Sequence, residues 1–99
     1  MAFVTTQPEL LSASAGTLQD IGSSVSSGNA AAAAPTRALI PAAADEVSML
    51  TAVQFAAHGR LYQAVSAQAA AIHEMFVQAM RTSAESYAAA EAANVIATR

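Results

Sequence analysis

The chain has no cysteine, no tryptophan and no lysine, and only five of its 99 residues are aromatic. Without cysteine there is no disulfide, no zinc–thiolate centre and no thiol nucleophile. Without lysine, positive charge rests on Arg37, Arg60, Arg81 and Arg99, too scattered for the clustered basic face that nucleic acid requires. The same shortage argues against a helix lying on an anionic membrane surface, which ordinarily carries a basic polar face. The only histidines are His58 and His73, and on one helix they would stand about 22 Å apart, too far to share a metal. There is no Gly-x-Ser-x-Gly elbow and no glycine-rich phosphate loop, so neither an enzyme nor a cofactor site is predicted. Long apolar runs are missing too, since the most apolar window, 29–44, is broken by Pro35, Arg37 and Pro41. The opening MAFVTTQPEL has neither the basic start nor the apolar stretch of an ordinary signal peptide. By these signals the chain reads as soluble and unexported.

What is abundant is alanine, which supplies 28 of the 54 hydrophobic residues. Alanine is the best helix former but buries little area. Six Leu, seven Val, four Ile, four Met, three Phe and two Tyr remain to build a core. The composition predicts one small all-α domain of long helices, short of material for a deep core of its own.

The punctuation divides the chain simply. Thr6 and Glu9 have capping-box spacing, and Pro8 falls in a first helical turn, where its missing N–H does no harm. A first helix is predicted over about 7–34, with Leu11, Leu18, Val25 and Ala32 recurring every seven residues and Ser14, Ile21 and Gly28 between them. Pro35 ends it at or before Ala34, and a turn covers 35–44. Asp45 is the candidate cap of a second helix over about 45–82, followed by a tail, 83–99. One short turn between two long helices gives an antiparallel two-helix hairpin.

The second helix carries two apolar stripes. One is Phe55, His58, Tyr62, Val65, Ala69, Ile72, Phe76 and Ala79; the other is Val47, Leu50, Ala57, Leu61, Ala64, Ala71 and Met75. One partner helix covers one such stripe, so a hairpin leaves at least one apolar face exposed as an interaction surface. The Phe55–Phe76 stripe is assigned to an external partner and the Val47–Met75 stripe to the first helix. His58 then reads as an interface residue, and His73, beside Glu74, as solvated. Beyond both stripes Tyr87 and Glu91 lie at i and i+4 on one helical face. They are either a solvated helix end whose tyrosine packs on a neighbour or a linear element read by another protein.

The Phe3 opening, the Pro8–Glu9 pair, NAAAAAPT, PAAADEVS and the Tyr87-x-x-x-Glu91 tail, in that order, resemble the mycobacterial PE family. The resemblance covers essentially the whole chain, and with its stop at Arg99 the chain looks like a minimal PE domain. It implies a hairpin that pairs with a PPE-family protein, whose N-terminal helices complete a four-helix bundle. It also implies export of the pair by a type VII (ESX) secretion system, with Tyr87 and Glu91 as the export signal. The Trp-x-Gly turn that usually accompanies that signal would come from the neighbouring chain, since this one has no tryptophan. A cytosolic chaperone would hold the pair, mainly through the PPE chain. The protein would be cytosolic before export and secreted or surface-associated afterwards, where membrane or cell-envelope association is open to it. The competing expectation is a self-associating homodimeric bundle acting at the cell surface.

Overall fold

The computed structural model describes residues 5–99; Phe3, part of the N-terminal family pattern, lies outside the described residues. Two helices make up the fold, α1 (Pro8–Arg37) and α2 (Glu46–Ala97). Among the described residues there is no strand.

Pro8 is the first residue of α1, and the Gln7 carbonyl accepts the first backbone bonds, from the N–H groups of Leu10 at 3.0 Å and Leu11 at 3.2 Å. Thr6 is not tied up in a capping box as the sequence suggested, because its hydroxyl is donated to the Glu91 carboxylate at 2.9 Å. Nor does Pro35 stop the helix before it. α1 runs through Pro35 to Arg37, so the proline sits in the last turn, where its missing donor forfeits a single bond. Side chains supply the neighbouring carbonyls. Thr36 Oγ1 donates to Ala32 at 2.7 Å and Arg37 Nε donates to Ala33 at 3.1 Å.

Asp45 caps α2. One carboxylate oxygen accepts the Ser48 N–H at 2.8 Å and the other accepts the Ser48 hydroxyl at 3.0 Å. The Ser48 backbone bond, then its hydroxyl, hold the Asp45 carboxyl below its ordinary value of 3.8. A depressed carboxylate contributes stability above the unfolded-state value and loses it as pH falls through the lower folded-state value. Asp45→Ala is therefore expected to lower thermal stability at neutral pH, and the gap from wild type should close in melts taken progressively below pH 3.8. At its other end α2 continues past residue 82 to Ala97, so most of the segment read as a tail is helical.

The chain packs as two compact units, Met1–Gly22 with His73–Arg99, and Ser23–Ile72. Each contains one stretch of α1 antiparallel to one stretch of α2. In the first unit Thr6 meets Glu91 while Leu18 meets His73. In the second, Asn29 accepts from Tyr62 and Gln63, and Thr36 lies against Gly59.

Apart from the Tyr62 hydroxyl, neither apolar stripe of α2 makes these contacts. The inward α2 residues of the second unit are Ala52, Ala56, Gly59, Gln63 and Ser66; those of the first are His73, Val77, Met80 and Ala84. Opposite them, Leu11, Ala15, Leu18 and Gly22 turn inward in the first unit, and Asn29, Ala32 and Ala33 in the second. The assignment of Val47–Met75 to the first helix is thus overturned, since Val47, Leu61 and Met75 are exposed; Ile21 and Val25, within the seven-residue repeat of α1, are exposed as well. The physical reason is closeness. A Cβ on Gly59 would come 3.0 Å from the Thr36 carbonyl oxygen, and one on Gly22 would come 2.8 Å from the His73 ring. Around Gly59 the helices approach closely and set Ala52 and Ala56 between them, whereas in the first unit Gly22 makes room for the His73 ring beside Leu11, Leu18, Val77 and Met80. His73, read as solvated, is half-buried against Gly22 with Nε2 donating to the Leu18 carbonyl at 2.6 Å.

Among the described residues Val77 is the one large side chain with no exposed surface. Val77→Ala should cost about 2 kcal/mol, combining lost transfer energy with a small cavity. Leu61, with 62% of its surface exposed, should tolerate alanine to within about 0.5 kcal/mol in the isolated chain. Denaturation followed by circular dichroism at low micromolar concentration distinguishes the two, and equal losses would contradict the packing described here.

Candidate functional site

The features that stand out are surfaces rather than cavities. In the second unit Phe55 is 61% exposed, Ile72 is 67% exposed, and Tyr62 and Val65 are also more than half exposed. Phe55 and His58 share an open groove with Val47, Leu50, Thr51 and Gln54. Residues drawn from both sequence stripes therefore form one apolar face. Tyr62 is less free than its neighbours, because its hydroxyl donates to Asn29 Oδ1 at 2.9 Å and ties the ring toward α1. In the first unit Phe76 is 55% exposed. Helices normally bury their large apolar side chains, and here much aromatic and aliphatic surface is left uncovered.

Toward the C-terminal end of α2, in the first unit, Tyr87 is 46% exposed. Because α2 is helical through Ala97, Tyr87 and Glu91 stand one turn apart on the same side. Glu91 is exposed and accepts the Thr6 hydroxyl. Pro8 and Glu9 form the first turn of α1, with Glu9 favourably placed at the positive end of the helix dipole.

No group of three or more His, Cys, Asp or Glu able to hold a metal occurs among the described residues. None of their helices is long and apolar enough to cross a membrane. The sequence reading missed Thr6, Asn29 and His73 as cross-helix hydrogen-bonding partners. Gly59, a glycine inside a helical pattern, was an available signal, since such glycines mark close backbone approach.

An all-α chain of two antiparallel-paired helices, with an alanine-rich inner face and an apolar outer one, is a helical-hairpin protein. A model of the PE family matches residues 4–94, and the chain belongs to that family. It is 59% identical over 97 residues to the PE family protein PE13 of Mycobacterium tuberculosis, covering 98% of each chain. It is 57% identical over 95 residues to the PE-PGRS family protein PE_PGRS3 and 55% identical over 94 residues to PE_PGRS33, both from the same species. Those matches take in 96% and 95% of this chain but only 10% and 20% of the relatives. The chain therefore spans nearly all of PE13 and a small part of the PE-PGRS proteins. None of these names carries an enzymatic activity. Membership in the family suggests the secreted role of PE and PPE proteins.

Proposed function

We propose that this chain is a non-enzymatic partner and export-signal carrier. Its outer α2 face (Phe55, His58, Tyr62, Val65, Ile72 and Phe76) pairs with a PPE-family protein to complete a four-helix bundle. The pair is held by a chaperone that contacts mainly the PPE chain and leaves the cell by type VII secretion. Tyr87 and Glu91 form the signal that the machinery reads.

The observation that carries this reading is the inversion of α2, with Ala52, Ala56, Gly59 and Ala84 among the residues turned toward α1 while Phe55, Ile72 and Phe76 face outward. Covering that face with two further helices would give the aromatic residues the burial they lack. Family membership supports the choice of partner. Tyr87 suits a recognition element because tyrosine offers a large apolar body and a hydroxyl with few rotatable bonds to immobilise.

The test is dependence of one chain on the other. In mycobacterial cells expressing this chain, deleting the gene of its PPE partner should remove the chain from the culture medium, and inactivating the type VII system should retain both proteins in the cytosol. Secretion that persists without any PPE partner would favour the self-associating hairpin instead.

A further inference from the structure

Thr6 links two parts of the chain separated by 85 positions, since its hydroxyl donates to Glu91 Oε1 at 2.9 Å. We infer that Thr6 is a positioning residue for the export signal: it holds the Glu91 carboxylate in the orientation in which a partner reads it together with Tyr87. This inference rests on the proposed reading of Tyr87 and Glu91.

Three features support it. First, Glu91 is otherwise a solvated side chain on an exposed helical turn. Left alone, such a side chain samples many rotamers, and docking on a receptor would have to freeze them. The Thr6 bond restricts those rotamers in advance. Second, the bond uses one lone pair of Oε1, so Oε2 and the remaining lone pair stay available to a second protein. The contact therefore orients the carboxylate without consuming it. Third, the backbone at Gln7 and Pro8 is restrained. Pro8 opens the helix with its φ fixed, and Gln7, preceding a proline, is confined to extended conformations. Together they set where Thr6 sits when the first turn of α1 forms. This gives the proline of the Pro8–Glu9 pair a task, directing Thr6 onto the far end of α2 in the same unit.

A bond of this kind, from a threonine hydroxyl to a carboxylate, is lost in Thr6→Val, which keeps the branched shape, and is kept in Thr6→Ser. Pre-ordering one flexible side chain corresponds to about a two- to tenfold change in binding. The experiment expresses wild type, Thr6→Val, Thr6→Ser and Glu91→Ala, each with the PPE partner, and compares the ratio of protein outside to inside the cell. Co-purification with the partner from the cytosol serves as the control for folding. The expected result is about a two- to tenfold lower ratio for Thr6→Val, near-normal export for Thr6→Ser, a block for Glu91→Ala, and equal co-purification in all four. A Glu91→Ala block with normal or increased export of Thr6→Val would overturn the positioning role and leave the export signal standing. Equal defects in Thr6→Val and Thr6→Ser would also overturn it, because the hydroxyl would not be the cause. Normal export of Glu91→Ala would overturn both readings.

Discussion

Alanine at both Tyr87 and Glu91 is expected to leave this chain and its PPE partner assembled in the cytosol and absent from the culture medium. The expected size of this effect follows from where the two residues are. Tyr87 is 46% exposed and Glu91 is exposed, and neither is among the buried residues of its unit. Removing them subtracts little from packing, so a loss of export would not be a loss of fold. The helix matters to the chemistry as well. Had the chain unwound after residue 82, the four-residue spacing would not have fixed the two side chains relative to each other. With α2 continuous to Ala97 they stand one turn apart, a ring and a carboxylate on one face. Tyr87→Phe should be milder than Tyr87→Ala if the ring contributes more than the hydroxyl. Immunoblots of cytosolic and medium fractions, read for both partners, check the outcome. Ordinary secretion of the double mutant would return Tyr87 to the status of a tyrosine at a helix end.

Truncating the outer aromatics should have the second-largest effect, on assembly rather than on export alone. Phe76→Ala and Phe55→Ala are expected to weaken the complex by about 2–4 kcal/mol each, or from about 30-fold to several-hundred-fold, the range for central aromatic anchors. Phe55 and Phe76 are the cleaner probes because the structure gives them no hydrogen-bonding role within the hairpin. Tyr62→Ala should weaken assembly too, but it also breaks the bond to Asn29 and so affects the pairing of α2 with α1 in its unit. Tyr62→Phe separates these effects by deleting the hydroxyl alone. Co-purification and thermal melting of the complex measure all four variants. Unchanged assembly in Phe55→Ala and Phe76→Ala would move the partner onto the other outward stripe, where Val47, Leu61 and Met75 are equally uncovered.

Two helices and one turn were legible in the sequence because their signals are local. Pro8 opens a helix, Asp45 caps one, and alanine favours the helical state throughout. The inner face of α2 was not legible by hydrophobicity, whereas Leu11, Leu18 and Ala32 of the repeat in α1 do turn inward. Searching for the largest side chains finds Phe55, Leu61 and Phe76, which point outward, and passes over Ala52, Ala56, Gly59 and Gln63, which point in. Around Gly59 close packing reverses the usual rule, because a Cβ there would crowd the Thr36 carbonyl, while Gly22 instead leaves room for the His73 ring. The three- and four-residue steps from Ala52 to Ser66 do carry a helical period, but one written in small and polar residues, and those from His73 to Ala84 continue it with Val77 and Met80. Pro35 misled for a related reason. A proline is a reliable break in a helix interior, yet in a last turn whose carbonyls receive Thr36 and Arg37 side-chain donors its penalty is small. The Tyr87–Glu91 pair was legible as a spacing. Its link to Thr6 was not, since nothing in a sequence pairs residues 6 and 91 until the helices are antiparallel.

The central claim, that this chain is one part of a two-chain bundle, is tested most directly by its mass in solution. Light scattering on the purified chain, alone and co-expressed with its PPE partner, gives that mass without labels or mutations. Alone, with its outer α2 residues uncovered, the chain should be aggregated or polydisperse. Co-expressed, it should elute as a single species with the summed mass of one copy of each protein. A stable, monodisperse monomer that ignores the partner would contradict the account, as would a well-defined homodimer that forms equally well in the partner's presence.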